Sequence, residues 1–479
     1  MTISLILIIL VLAAGFYMSW NIGANDVSNA MGTSVGTGAL TLKKAVIIAA
    51  VLEFSGAFLM GSNVSETLQK GIIDLGAFAS DPTTLLIGMF SALLATAIWL
   101  QLASYCGWPV STTHAIVGAI VGFGIIAGGF GAVHWGEVGF ISASWVISPI
   151  MSAIVAFIFF TAIQKKILHA LQPIDATKRL IPYLVFIVVL TFFMTSGFTG
   201  IKSLNLNAPT YLIFLGAFLI ALFSSIISSI LIRKVAESAQ GQSSSRLKNT
   251  HQIFSLNKAL KHLQRLKLAS SGSIREEVSA SINSMRSIQE QITKPNTIKS
   301  MSEYETVEKM FVYMQILSAC FVAFAHGAND VANAIGPVAS AVEIIRNPTN
   351  FAVVSKVPTW LLALGGIGIV VGLATWGWRV IETIGKKITA LTPTRGFCAE
   401  FGAAATILIA SKLGMPVSTT HCIVGAVFGV GIAKGISALN LGMLKDIILS
   451  WIITIPSSAI ACVIIFKIIM AFIGSKQLI

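Results

Sequence analysis

The chain has 479 residues, of which 55% are hydrophobic and 11% are charged, and its formal net charge is +13. A soluble domain carries about a quarter charged residues, so this composition excludes an ordinary soluble domain. A charge of this sign would suggest nucleic acid as a partner of a soluble protein. Here the basic residues lie mostly between apolar segments, where they set membrane topology, and we expect no nucleic-acid partner.

The first apolar segment runs from Ile3 to Trp20. No basic residue precedes it and no small-residue cleavage site follows it, so we predict a membrane helix and not a signal peptide. Apolar runs of about 20 residues, the length that crosses a bilayer, recur along almost the whole chain. They predict an all-α, multi-pass integral membrane protein.

Two polar motifs each occur twice. Gly-Ala-Asn-Asp-Val-Ser-Asn-Ala at 23–30 recurs, with one change, at 327–334. Pro-Val-Ser-Thr-Thr-His at 109–114 recurs at 416–421. The spacings between copies are 304 and 307 residues, and the order is the same. We infer that the chain contains a duplicated unit.

A polar stretch at 233–309, rich in Ser, Lys and Arg, separates the copies. It divides the chain into an N-terminal membrane part, 1–232, and a C-terminal part, 310–479. The first part holds repeat 1 at about 1–165 and two extra helices, and the second holds repeat 2. Either a solvated, partly helical linker or a regulatory or membrane-surface helix fits residues 253–292.

The basic linker is expected on the cytoplasmic side of the cell membrane. Counting segments outward from it places both termini outside, extracellular or periplasmic. The count requires that the segments around Pro109 and Pro416 each cross the membrane an even number of times, as two spans or one re-entrant hairpin. The two copies then have opposite orientation, which predicts an inverted repeat of the kind that secondary transporters use.

The acidic motif predicts a cation site. A carboxylate inside a bilayer costs a few kcal/mol unless it faces a cavity, a partner or an ion, and Gly, Asn and Asp are expected to loosen the helix there. Carboxylate, amide and backbone oxygens suit sodium. The alternative is an interhelical hydrogen-bond cluster. The candidate sodium ligands fall within about one helical turn in each copy: Asp26 and Asn29, Asp330 and Asn333.

The Pro-Val-Ser-Thr-Thr-His motif is typical of a helix start, because Pro suits the first turn and Ser or Thr caps free N–H groups. A half-helix that begins inside the membrane points its positive end and free N–H groups at an anion. Ordinary capping of a kinked helix is the alternative. The candidates for binding a tetrahedral oxyanion carry hydroxyl or amide donors: Asn25, Ser111, Thr112, Thr113, Asn329, Ser418, Thr419 and Thr420.

Two glutamates lie inside apolar runs without a counterpart in the other copy. Glu53 aligns with an aliphatic residue near 369, and Glu400 aligns with Leu93. We predict that they set coupling, as a second cation site or as proton carriers. By contrast Glu66 and Glu382 align with each other, and we interpret them as interfacial or structural.

Histidines stand beside both kinds of motif. His114 and His421 follow the Thr pairs, and either donation to the anion, proton relay or a structural bond to a carbonyl fits them. His326 precedes the second acidic motif and is interpreted as a packed histidine. Cys106, Cys320, Cys398, Cys422 and Cys462 have no metal-ligand or redox spacing, and we expect packing roles.

The two duplicated motifs resemble the signatures of the inorganic phosphate transporter (PiT) family. The resemblance covers both membrane parts and is weak only in the linker, and Thr392–Phe397 leading to Glu400 also matches. It implies a symporter with about twelve membrane segments, re-entrant hairpins included. It also implies that Asp26, Asp330, Glu53 and Glu400 are needed for transport and that the Ser-Thr-Thr segments line the phosphate site. Gly-Ala-Asn-Asp in both copies resembles the sodium-coupled branch.

The sequence therefore predicts a symporter that imports inorganic phosphate with a cation, sodium favoured, by alternating access. Proton coupling or sulfate transport by the same architecture stays open, and so does a homodimer. An anion channel, or a transport-related receptor with the linker as its signalling part, is the rival from a different class, and a channel would not need four intramembrane carboxylates. No phosphate loop or hydrolase motif is present, so we expect neither an enzyme nor an ATP-driven pump, and no cofactor besides the transported ions.

Overall fold

The computed structural model describes residues 3–106, 108, 110–203, 209–240, 247–293, 303–349, 351, 356–378, 381, 391–435 and 441–473. Their longer elements are fourteen α-helices. In chain order these are α1 (Ile3–Gly36), α2 (Leu42–Lys70), α3 (Pro82–Cys106), α4 (Thr112–Gly128), α5 (Trp135–Ile163), α6 (Pro173–Ser203), α7 (Thr210–Gln240), α8 (Leu247–Ala269), α9 (Ser273–Thr293), α10 (Glu303–Arg346), α11 (Thr359–Gly372), α12 (Pro393–Lys412), α13 (Thr419–Lys434) and α14 (Leu441–Ile473).

Long apolar helices dominate the described chain. Nine of its helices are long and apolar enough to cross a membrane, and the apolar helices α4 and α13 are shorter. The helix surfaces that do not pack on other helices carry large aliphatic and aromatic side chains, as on α7. This architecture confirms the predicted all-α membrane class.

The two copies of the repeat correspond helix by helix, with α1–α5 matching α10–α14. The first helix of each copy packs against the second helix of the other, so α1 lies on α11 and α10 lies on α2. Two glycines allow these approaches. A Cβ atom at Gly23 would collide with the carbonyl oxygen of Ile369, and one at Gly327 with the carbonyl oxygen of Glu53. The copies are therefore interlocked.

The helical pair α3–α4 returns the chain to the end of the bundle from which it started. Ile73, before α3, forms an isolated antiparallel bridge with Val133, after α4. The backbone N–H of His134 donates to Ile72 O at 3.0 Å, and that of Asp74 donates to Ala132 O at 2.9 Å. The turn between α3 and α4 therefore brings the first Ser-Thr-Thr segment back into the bundle.

The acidic motifs do not interrupt their helices. Residues 23–30 lie inside continuous α1, and residues 327–334 lie inside the 44-residue helix α10. The expected loosening is wrong, because the polar side chains bond to other helices instead of competing for their own backbone, as Asn29 does with Thr420. The glycines serve close helix packing there.

The polar stretch between the membrane parts contains helices α8 and α9. They pack on each other through Leu260, Leu263, Val278, Ile282 and Met285, a small apolar cluster separate from the main core. The extra helices α6 and α7 also pack on each other, and Ser225 donates to the carbonyl oxygen of Pro182 at 2.8 Å.

Candidate functional site

Each acidic motif meets the start of a short helix from its own copy of the repeat. The Thr112 hydroxyl, at the first residue of α4, donates to Asp26 Oδ2. The Thr419 hydroxyl, at the first residue of α13, donates to Asp330 Oδ2 at 2.7 Å. Both aspartates are buried. The structure therefore brings the predicted cation and anion groups together in pairs.

Hydrogen bonds from asparagine side-chain amides cross between the copies. Asn29 Nδ2 donates to Asp26 Oδ1 at 3.2 Å and to the Thr420 hydroxyl oxygen at 2.9 Å. In the equivalent arrangement Asn333 Nδ2 donates to Asp330 Oδ1 at 3.1 Å and to the Thr113 hydroxyl oxygen at 3.3 Å. These contacts join the motifs of both copies into one buried polar cluster.

The ends of the two short helices face each other. Thr113 donates to the carbonyl oxygen of Val417 at 3.0 Å, and Thr420 lies 3.5 Å from the carbonyl oxygen of Val110. Each helix is capped by a serine, with Ser111 accepting from His114 N and Ser418 accepting from His421 N, both at 3.3 Å. The predicted helix starts are confirmed, although Pro416 precedes the cap and does not lie in the first turn.

The charges in this cluster are close. One carboxylate oxygen each of Asp26 and Asp330 and a ring nitrogen of His326 lie within 4.8 Å of one another. Two carboxylates at this distance repel each other strongly in a low-dielectric interior. Positive charge from cations, together with the helix N-termini that face the cluster, would offset that repulsion.

A histidine connects the cluster to the first unpaired glutamate. Nδ1 of His326 lies 3.3 Å from Glu53 Oε1, and Nε2 lies 2.9 Å from Asp330 Oδ2. All three side chains are buried, and Glu53 has no hydrogen-bond partner among the described residues. His326 is packed, as expected, but the sequence did not predict that it faces two carboxylates.

The second unpaired glutamate lies in another polar cluster. Glu400 Oε1 accepts from Thr33, from Ser34 at 2.7 Å and from Gln315 Nε2 at 3.3 Å, while Oε2 accepts from Ser318 at 2.6 Å. Four donors fill the acceptor capacity of an ionised carboxylate. The oxygens of these side chains could equally surround a cation.

The Glu400 cluster has no polar equivalent in the other copy. Moving its members by the 304- or 307-residue spacing replaces each polar side chain by an apolar one: Thr33 by Pro337, Ser34 by Val338, Gln315 by Val11, Ser318 by Ala14 and Glu400 by Leu93. Glu53 is matched by Ile369 through the equivalent glycine contacts. The asymmetry predicted from two glutamates therefore extends to their surroundings.

The histidines that follow the Thr pairs meet at the interface of the copies. The rings of His114 and His421 are edge to face with centroids 4.5 Å apart. His114 lies 3.9 Å from the ring of Trp145, and His421 stacks on Trp451 at 3.4 Å. Nδ1 of His421 lies 3.3 Å from the carbonyl oxygen of Trp145. The carbonyl contact agrees with the structural alternative for His421, whereas His114 makes ring contacts.

The asparagines at 25 and 329 have different surroundings. Asn329 Nδ2 donates to Ser411 Oγ at 3.0 Å and Met415 O at 3.3 Å, on the segment that leads to Pro416. Asn25 Nδ2 is buried without a hydrogen-bond partner among the described residues. Glu66 lines a surface cleft, in line with an interfacial role, and Glu382 lies outside the described residues.

A model of the phosphate transporter family matches residues 22–462. The chain belongs to the phosphate transporter family. It is 45% identical to the inorganic phosphate transporter 2-1, chloroplastic, of Arabidopsis thaliana over 96% of this chain and 72% of that protein. It is 44% identical to a putative phosphate permease of Pyrococcus horikoshii over 97% of this chain and 98% of that one.

A solved structure supports the same assignment. The structure titled "The sodium-dependent phosphate transporter" aligns with 97% of this chain and 99% of its own, with a TM-score of 0.75 and 34% identity. Family membership confirms the resemblance drawn from the duplicated motifs. It also agrees with the expectation of a transporter rather than an enzyme.

Within this phosphate transporter, several groups that surround the carboxylates were missed from the sequence. Gln315 and Ser318 lie in ordinary-looking helical segments, and only the fold brings them, together with Thr33 and Ser34, to Glu400. Trp145 and Trp451 left a signal, because the dipeptide Ser-Trp occurs at 144–145 and again at 450–451.

Proposed function

We propose that this phosphate transporter is a secondary active symporter that imports inorganic phosphate together with sodium by alternating access. The observation that carries the proposal is the pairing of Asp26 with Thr112 and of Asp330 with Thr419. Each pair combines a buried carboxylate, which suits a cation, with a helix start, which suits an anion. Phosphate alone would add negative charge beside the carboxylates, and bound sodium would offset it.

Phosphate would bind between the facing starts of α4 and α13. Hydroxyl groups and free backbone N–H groups there can donate to its oxygens without a buried arginine. Ser111, Thr112, Thr113, Ser418, Thr419 and Thr420 are the proposed donors, all of them buried. Asn25 and Asn329 stand next to the aspartates and would orient the approach of the anion.

Sodium would bind at the aspartates on either side of the phosphate. Asp26 with Asn29, and Asp330 with Asn333, supply carboxylate and amide oxygens from two equivalent turns. Glu53 and Glu400 would add the charge that sets the coupling, because both are buried and neither has a counterpart in the other copy. The solved relative is described as a sodium-dependent phosphate transporter, and this similarity supports sodium as the coupling ion.

Alternating access would come from movement of the interlocked copies about the central cluster. The return of α3–α4 to its starting end supports an even crossing for that segment, and hence the inverted orientation of the copies. The termini would then be extracellular or periplasmic and the 233–309 stretch cytoplasmic, with the chain in the cell membrane.

One observation favours proton coupling as the second candidate. His326 lies between Glu53 and Asp330, with one ring nitrogen within 3.3 Å of the first carboxylate and the other within 2.9 Å of the second, and a histidine so placed can carry a proton from one to the other. The same architecture would then carry phosphate with protons.

Labelled phosphate uptake into proteoliposomes distinguishes these candidates. Sodium and proton gradients are imposed separately, and sulfate is added as a competitor. We expect accumulation above the outside concentration only with an inward sodium gradient. Uptake that does not depend on sodium but follows the proton gradient would show that protons, and not sodium, are the coupling ion. Uptake that never exceeds equilibrium would indicate a channel, and equal competition by sulfate would overturn the phosphate preference.

A further inference from the structure

The hairpin formed by α8 and α9 exposes two features that the transport site does not use. Residues 246–275 contain seven Lys and Arg residues and no Asp or Glu. Lys258, Lys261 and Arg265 are exposed, and their i, i+3, i+7 spacing places them along one side of α8. The apolar cluster that holds α8 to α9 involves Leu260 and Leu263, so the basic stripe faces away from α9.

Large aliphatic side chains are exposed at the tip of this hairpin. Leu268 continues the basic stripe by three residues and is 86% exposed, and Leu266 is 49% exposed. Ile274, just after the turn, is 59% exposed. Leucine and isoleucine side chains clustered at an exposed tip indicate an apolar partner.

We propose that the α8–α9 hairpin docks on the anionic lipid surface of the membrane in which the transporter itself lies. Cations beside exposed aliphatic groups are the combination that binds at the interface of an anionic bilayer, where the aliphatic groups enter the headgroup region and the cations attract the headgroups. The acidic residues Glu276 and Glu277 lie on α9, so α8 and the tip form the docking face.

The length of the connections favours this occupant over a soluble partner. Six residues, 241–246, link the candidate membrane helix α7 to α8, and nine residues, 294–302, link α9 to α10. Six residues reach at most about 20 Å even when fully extended. The base of the hairpin is therefore held close to the bilayer, and a hairpin that lies along the membrane brings its tip to lipid at a high effective concentration.

A fluorescent label at the tip tests the proposal in the full chain. Leu268→Cys is labelled with an environment-sensitive dye in a Cys106→Ser background, because Cys106 is the exposed native cysteine among the described residues. Ser284→Cys, exposed on α9, carries the control label. The protein is reconstituted in phosphatidylcholine, with or without phosphatidylserine, and nitroxide lipids serve as quenchers.

We expect the Leu268 label to shift to the blue and to be quenched only when phosphatidylserine is present, and high salt to reverse the effect. The Ser284 label should not respond. Replacing Lys258, Lys261 and Arg265 by Gln should lower the ratio of bound to free tip by roughly fivefold for each residue. The variant Asn283→Glu/Ser284→Glu/Ser287→Glu, which changes the net charge by the same amount on α9, should keep the response.

Two results would overturn the proposal. The first is a Leu268 label that stays in water in both membranes, which would leave the basic stripe to a soluble partner. The second is a response that the Gln variant keeps in full, which would make the contact independent of the stripe. Neither readout requires transport, so failure here and failure of the proposed symport are separate outcomes.

Discussion

Glu53 on α2 and Asp330 on α10 contact the two nitrogens of one imidazole ring, that of His326. The two carboxylates belong to different copies of the repeat, and the histidine has Ile22 as its counterpart in the first copy. The contact therefore joins the two copies and has no equivalent at the symmetry-related position. The position of the His326 ring therefore depends both on Glu53 and on the central cluster.

Removing this ring should destabilise the protein. His326→Leu leaves two buried carboxylates without their partner, and loss of one member of a buried ion pair costs about 3–5 kcal/mol. We expect a lower thermal midpoint in detergent and loss of sodium-driven uptake. Ile22→Leu, at the equivalent buried position, should change the midpoint little. An unchanged midpoint in His326→Leu would show that the ring does not hold the carboxylates.

Neutralising either central aspartate should abolish phosphate accumulation. In Asp26→Asn and Asp330→Asn the site loses one negative charge for sodium and one acceptor for a threonine hydroxyl, and we expect uptake to fall by roughly tenfold or more, as a lost charged hydrogen bond of about 1.5–3 kcal/mol implies. Proteoliposome uptake measures this. Asp175→Asn is the control, because Asp175 pairs with Lys178 at a partly exposed position. If both aspartate variants transported normally, the cation role would be wrong.

The hydroxyl of Thr112, and not its shape, should matter. Thr112→Val removes a hydroxyl that donates to Asp26 in this structure and that we propose turns to phosphate when the anion binds, while Thr112→Ser keeps it. We expect the Val variant to bind phosphate roughly ten- to hundredfold more weakly, since a hydrogen bond to a charged group is worth about 1.5–3 kcal/mol. Equilibrium phosphate binding to the purified protein measures the difference. Thr191→Val, whose hydroxyl donates within its own helix to Ile187 O, is the control. Equal binding by the Val and Ser variants would exclude this role.

Glu400→Gln should separate sodium dependence from phosphate binding. The glutamine amide cannot accept from all four donors that surround Glu400, and the substitution removes the negative charge of the carboxylate. We expect the sodium concentration for half-maximal uptake to rise by roughly tenfold, about 1.4 kcal/mol, with phosphate binding retained. Glu66→Gln, in the surface cleft, should leave the sodium dependence unchanged. An unaltered sodium curve for Glu400→Gln would remove Glu400 from the coupling.

Gly23 and Gly327 should not tolerate a methyl group. Alanine at either position would push on the carbonyl oxygen of Ile369 or of Glu53, and overpacking of this kind costs about 1–3 kcal/mol. We expect a lower thermal midpoint for both variants. Gly216→Ala on α7, where the added carbon meets open space, should instead be neutral or stabilise by about 0.5–1 kcal/mol. Equal midpoints for all three would contradict the close packing.

Much of the fold was readable because its signals are local. Apolar runs predicted the helical membrane class, and Ser111 and Ser418 predicted the starts of α4 and α13 through capping chemistry. The duplicated motifs also named the aspartates and threonines that the fold brings together, but they did not predict which of them pair.

The remaining contacts depend on how distant helices pack. Thr33 and Gln315 approach Glu400 from helices α1 and α10, and the position of Gln315 shows no pattern in the sequence. The prediction that the acidic motifs loosen their helices failed for a related reason. Local chemistry shows that Asn29 can bond to the backbone, but only the fold supplies Thr420 as a better partner.

The packing of α1 on α11 and of α10 on α2 has a consequence for synthesis and ancestry. While the ribosome is still making the second copy, α1 and α2 lack the helices on which their glycine-lined surfaces pack. The first five helices therefore cannot complete their packing until the second copy has been inserted. A primordial single unit would have faced the same problem permanently. It could complete itself only by pairing with a second copy of itself, so association of two separate copies would have preceded gene fusion.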